Sequence, residues 1–169
     1  GGEYISVVLS KFDSAQLLLE WSHHIQSYLV DTLSAEDSAR IMPIGFKVSF
    51  WEKLNECRAS TLYIRGKILR YNDKLADSEF DLKQSLELRK RSHGAHSVDS
   101  IAVNNNGAIA DILHELGVLY LRKHDLYTAK SFLTRSLNIK YEYEDEIQDT
   151  DESSTLHQLG VVATLERRY

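Results

Sequence analysis

Apolar positions along the chain recur at helical spacing. Leu18, Trp21, Ile25, Tyr28, Leu29 and Leu33 follow one another at intervals of 3, 4, 3, 1 and 4. That lays one stripe along a helix from about Asp13 to Leu33. Asp13 followed by Gln16 reads as a capping box, the carboxylate accepting an orphan backbone N–H. Ser34 followed by Asp37 starts a second, short helix that ends before Pro43. Pro43-Ile44-Gly45 is a break, because proline disfavours helix at the residue before it and glycine permits left-handed turns. The pattern resumes with Phe46, Phe50, Trp51, Leu54, Cys57, Leu62, Ile64, Ile68 and Leu69, predicting one long helix or two abutting ones up to Tyr71. Asn72-Asp73 predicts a turn. A helix from about Leu75 to Arg91 carries Phe80, Leu82, Leu86 and Leu88, and Arg89, Lys90 and Arg91 complement its negative end. The pattern returns before Leu113 and runs to about Arg122. Lys123-His124-Asp125 predicts a turn, Leu126 to about Tyr141 a helix, and Thr155 onward a last helix. No segment alternates as a strand does, so the expected fold class is all-α.

Composition narrows this further. The chain has 169 residues, 43% hydrophobic and 27% charged, with one Pro and eight Gly. That suits one compact domain or a short repeat array, and excludes disorder and collagen. One cysteine, Cys57, forms no internal disulfide and anchors no cysteine-based zinc site, which fits a reducing compartment and a cytoplasmic location. The N-terminal Gly1-Gly2 is not a signal peptide, and the chain reads as a piece of a longer protein. No apolar run approaches the length of a membrane span. The net charge of −5 gives no general pull toward nucleic acid or anionic lipid. It is also local: Glu142, Glu144, Asp145, Glu146, Asp149, Asp151 and Glu152 cluster with no Lys or Arg among them, and setting these seven aside turns the rest to +2. The cluster lacks the order and central glycine of a calcium loop and reads as a solvated linker.

The chain repeats itself. Ser131 to Lys140 echoes Phe80 to Arg89 at an offset of 51 residues, which also sets Gly117 on Gly66 and the turn at Lys123 on the turn at Asn72. Leu156-His157-Gln158-Leu159-Gly160-Val161-Val162 echoes Leu113-His114-Glu115-Leu116-Gly117-Val118-Leu119 at an offset of 43. The unit is helix, tight turn, helix, then a variable linker. Leu116-Gly117, Tyr120, Asp125, Ala129, Leu133 and Ser136 resemble the tetratricopeptide repeat, in which a glycine and a small residue sit where two helices cross. The first copy departs from it with Arg65, Leu69 and Ser78, and the third with Ala163 at the aromatic position. Leu88 through Ala102, with Gly94, His96 and Val98, is similar to the linker of the kinesin-light-chain subtype. The segment from Val98 to Gly117 is longer than in that subtype, and the extra residues around Asn104-Asn105-Asn106-Gly107 form either a loop or added helical turns. The resemblance implies an α-α superhelix, or solenoid, of helical hairpins. It implies two domains: 1–58, an N-terminal helical region that is a degenerate repeat or a cap, and 59–169, about two and a half copies.

Catalytic and metal chemistry find little support. His23-His24 point about 100° apart on a helix, and His93 with His96 has no third ligand at a fixed spacing. Cys57 shares the apolar stripe of Leu54, which predicts a core role. Phosphate-binding glycine loops and a nucleophile elbow are absent from the sequence. We therefore expect no enzyme, no cofactor and no metal.

What remains is a surface. The resemblance implies a concave face lined by the first helix of each copy: Tyr63, Lys67 and Arg70; then His114, Val118 and Arg122, with Asp111 and Leu121; then His157 and Val161, with Thr164. Lys67, Arg70 and Arg122 predict a partly basic groove suited to a peptide with an apolar anchor flanked by carboxylates. The expected function is a protein–protein interaction scaffold. The alternative is a sensor or autoinhibitory repeat region of a larger nucleotide-regulated signalling ATPase. The open face of the last helix adds an expectation of self-association.

Overall fold

The computed structural model describes residues 44–95, 99–143 and 152–168. The expectations for Asp13–Leu33, for Ser34 onward to Pro43, for the His23-His24 pair and for most of the acidic linker lie outside them. Five helices are described: α1 Ile44–Tyr71, α2 Leu75–Ala95, α3 Asp99–Arg122, α4 Leu126–Glu142 and α5 Glu152–Glu166. There is no strand among the described residues, and the fold is all-α. None of these helices is long and apolar enough to cross a membrane.

The segment up to Tyr71 is one helix of 28 residues. The residues around Asn104-Asn105-Asn106-Gly107 belong to α3, not to a loop. Asparagine and glycine are poor helix formers, yet Ile109, Ile112 and Leu113 in the next turns are buried with Leu82 and Leu86 of α2, and tertiary packing overrides propensity here.

α1 packs on α2, α3 on α4, α2 on α3 and α4 on α5. The two three-residue turns are built alike. Asp73 and His124 each have φ 61°. Lys74 N–H reaches Leu69 O at 2.9 Å and Asp73 N–H reaches Arg70 O at 3.2 Å; Asp125 N–H reaches Tyr120 O at 3.0 Å and His124 N–H reaches Leu121 O at 3.0 Å. This is the pair of hydrogen bonds that satisfies the last carbonyls of a helix before a left-handed residue. Asp125 then caps α4, its carboxylate accepting from Thr128 N–H at 3.0 Å.

The likeness of the two hairpins at an offset of 51 extends into their interiors. Ser85 Oγ donates to Ala59 O and Ser136 Oγ to Ala110 O, both at 2.7 Å. A Cβ on Gly66 would meet Leu82 Cγ at 2.8 Å, and one on Gly117 would meet Leu133 Cγ at 2.5 Å. Ser78 and Ala129, the small residues twelve positions on, are fully buried.

Three sequence expectations are corrected. Cys57 is exposed, not in the core. Ile64 and Phe80 are 46% and 62% exposed. The buried phase of α1 is Ala59, Leu62, Gly66 and Leu69, and that of α2 is Ser78, Leu82 and Ser85 with Asp81 and Leu86. Cys57, Ile64 and Phe80 each stand two residues from a buried position, which is about 200° round the helix.

Candidate functional site

α1 brings Tyr63 and Lys67, one turn apart, to the face where it meets α3. α3 answers with Asp111, His114 and Glu115. Lys140 at the end of α4 and Ser154 at the start of α5 complete the wall. These seven residues line a cavity of about 290 Å³. That is room for a single side chain, at the small end of ligand pockets.

The cavity is of mixed sign. Lys67 Nζ lies 3.2 Å from Glu115 Oε1, and Arg70 donates to Glu115 Oε2 from Nε at 3.1 Å and Nη2 at 2.7 Å. Lys140 is 3% exposed, with Nζ 3.7 Å from Asp111 and 3.4 Å from Thr155 Oγ1. Buried charges need such partners. Lys67 Nζ also donates to Tyr63 Oη at 3.5 Å and lies 5.2 Å from its ring centre. Burial would lower the Lys67 pKa, but Glu115 and Tyr63 more than reverse this and raise it. Burial raises the Tyr63 phenol. His114 places Nδ1 3.0 Å from Thr155 Oγ1 and Nε2 3.4 Å from Ser154 Oγ, tying α3 to the first turn of α5. Burial pushes its pKa down, against the pull of Glu115, so the neutral ring is favoured.

Of the eight residues predicted to line one groove, Tyr63, Lys67 and His114 share this cavity. Arg70 does not line it: it is buried, and its guanidinium is committed to Glu115. Arg122 is exposed and donates from Nη1 to Arg70 O at 2.7 Å, closing the end of α1. Val118 is half-buried on α3 and lines neither cavity. His157 and Val161 line a separate cavity of about 430 Å³ on α5. The partly basic groove expected from Lys67, Arg70 and Arg122 is thus replaced by balanced charge, because Glu115 answers two of the three.

Glu115, Lys140 and Ser154 were not singled out from the sequence. The offset of 51 carried a signal for one of them. Lys140 falls on Arg89 and Asp111 on Ser60, and Arg89 Nη2 donates to Ser60 Oγ at 2.7 Å in the first hairpin. Glu115 and Ser154 had no such mark, since their partners come from outside their own hairpin.

Among the described residues no group of three His, Cys, Asp or Glu is placed to hold a metal ion. Comparison of the chain with protein-family models, curated proteins and solved structures finds no match.

Proposed function

We propose that the chain is a cytoplasmic protein–protein interaction module, built as an α-α solenoid of the tetratricopeptide type, that holds a peptide across α1 and α3. The observation that carries this reading is the convergence of Tyr63, Lys67 and His114 with Asp111, Glu115, Lys140 and Ser154 in one polar cavity. Supporting the repeat assignment are the equivalent contacts of the two hairpins: glycine under leucine, and serine hydroxyl on a carbonyl one helix away.

The cavity suits one polar side chain of the peptide. Lys67 and Tyr63 offer donors to a carboxylate, and the balanced charge around them limits the ligand to a single acidic group at that point. The half-buried Val118 on α3 gives an aliphatic anchor a place beside it. The reading includes no bond-making step and needs no metal or cofactor.

The test is selection of random displayed peptides on the immobilised full chain, followed by titration of a selected peptide in solution. Enrichment of an acidic residue beside an aliphatic or aromatic one is expected. Lys67→Glu should weaken binding about tenfold or more, with a smaller difference at high salt. No enrichment, or a selected peptide indifferent to Lys67→Glu, would remove this reading.

A further inference from the structure

His114 stands where three helices meet. It lies on α3, and its ring reaches the first turn of α5, with Nδ1 3.0 Å from Thr155 Oγ1 and Nε2 3.4 Å from Ser154 Oγ. α4 reaches the same point: Lys140 Nζ donates to Thr155 Oγ1 at 3.4 Å. Lys140 and Thr155 are buried, at 3% and 0% exposure. One buried hydroxyl oxygen is thus shared by an ammonium and an imidazole. An ammonium only donates, so Thr155 Oγ1 accepts from Lys140 and its own proton is available to the ring. A neutral ring bare at Nδ1 accepts from that hydroxyl and donates from Nε2 to Ser154 Oγ. The hydrogen bonds then run unbroken from α4 to α5, across the ring on α3, and back to α5.

We propose that His114 is a pH-sensitive latch: the neutral ring holds the first turn of α5 on α3, and its protonation releases that turn. A proton on Nδ1 sets a second cationic donor on the oxygen that already accepts from Lys140. The buried Thr155 proton then loses the ring as its acceptor, which is costly away from water. The first turn of a helix is also the positive end of its dipole, so α5 itself opposes a cation at this point. The charged groups of the described elements around the ring divide. α1 brings Lys67 and Arg70, with the phenol of Tyr63, and α4 brings Lys140. α3 adds Asp111 and Glu115, and α5 carries Glu152 in the same turn as the two hydroxyls. The carboxylates favour an imidazolium, yet Glu115 already holds Lys67 and Arg70, and Asp111 lies 3.7 Å from Lys140. Burial depresses the ring's pKa below its ordinary 6.5 against their pull. In the released turn the ring returns to water and to that ordinary value. The released state therefore binds the proton more tightly, so the latch is whole above 6.5 and weakens as the pH falls below it. Leu159 and Val162, packed with Ala129 and Leu133 of α4, keep the second half of the helix in place. The latch acts on a wall of the polar cavity but does not rest on the peptide reading, because it is read without a ligand.

Two NMR measurements on the full chain between about pH 5 and about pH 7.5 test this. The first titrates the histidine ring protons, with the His114 signal assigned by its loss in His114→Gln. Its midpoint should lie below 6.5 in the folded wild type. The second follows hydrogen exchange, each rate corrected for its own intrinsic pH dependence. Protection of the amides of Leu156 to Leu159, whose helical hydrogen bonds end in the first turn, should fall about threefold or more on acidification relative to those of α1 and α2. His114→Gln keeps a donor and an acceptor but does not titrate, so in that variant the same amides should hold constant protection. Lys140→Met removes the other cationic donor from Thr155 Oγ1 and should move the His114 midpoint upward. The wild-type measurements need no variant to fold beyond the one that assigns the signal, and exchange needs none. A His114 midpoint at or above 6.5, α5 protection that does not change with pH, or a pH dependence that persists in His114→Gln overturns the proposal, as does a midpoint unmoved by Lys140→Met.

Discussion

Three glycines at one register position differ in how closely they are covered, and this sets the cost of a methyl group at each. At Gly117 the added Cβ would lie 2.5 Å from Leu133 Cγ, 2.7 Å from Leu133 Cδ2 and 3.3 Å from the Ala129 carbonyl. The leucine is itself fully buried, so the helices must part, and Gly117→Ala should destabilise by about 1–3 kcal/mol. At Gly66 the nearest approach is 2.8 Å, also to a buried leucine, which predicts the same sign with a smaller loss. At Gly160 no described residue stands within 4 Å of the added Cβ, and Gly160→Ala should stabilise by about 0.5–1 kcal/mol through helix propensity. Chemical denaturation of the three variants checks the order, and a stabilised Gly117→Ala would mean the crossing is not close. The sequence marked all three as equivalent, because spacing records register. It could not show how closely each one is covered, because that depends on a contact and not on a residue.

At the scale of elements, the two hairpins solve one packing problem in two chemistries. Arg65 and Asp81 in the first stand where Leu116 and Phe132 stand in the second. Arg65 donates to Asp81 from Nε at 2.5 Å and from Nη2 at 2.6 Å, and Asp81 is 1% exposed. Removing one partner of such a pair leaves a buried charge, so Asp81→Ala should cost about 3–5 kcal/mol. Replacing both with the second hairpin's residues, Arg65→Leu with Asp81→Phe, should recover most of that loss, since a packed apolar pair can equal a buried ion pair. A double variant no more stable than Asp81→Ala in urea unfolding would contradict this. Arg65 had looked like a departure from the repeat when read alone. Its compensating acid lies sixteen residues away on the facing helix, a distance at which periodicity within one helix carries no information. The turns show the reverse case. Their residue types were legible at once, because Asp and His tolerate the left-handed conformation that Asp73 and His124 adopt.

At the scale of the molecule, stability depends on charges that join one hairpin to the next. Glu79 of α2 accepts from Tyr120 Oη at 2.7 Å and pairs with Lys123, both near the end of α3, and it meets Lys83 at 2.5 Å. Burial alone would raise its pKa, but hydrogen bonds from Lys123, Lys83 and Tyr120 overcome this and hold it at about 2, against an ordinary 4.5. A carboxylate held low in the folded state stabilises the fold fully above the unfolded pKa. That contribution declines as the pH falls below 4.5 and is exhausted once it passes through about 2. Acid unfolding of Glu79→Gln should therefore be flatter than that of the wild type across this window, and coincident curves would place the effect elsewhere. The polar cavity is likewise a product of assembly: Arg70 and Glu115 lie 45 residues apart, and the charge balance between them exists only once α1 and α3 are side by side.

By itself the sequence determined the all-α class, the two short turns after Tyr71 and Arg122 and the 51-residue internal repeat, because periodicity, capping and turn residues are local properties of a chain. The tertiary structure alone decided which face of each helix is buried, which predicted cations are neutralised, and how closely the glycines of the two hairpins are covered. Each of those depends on what a second helix brings within a few ångströms, and a linear pattern does not contain that.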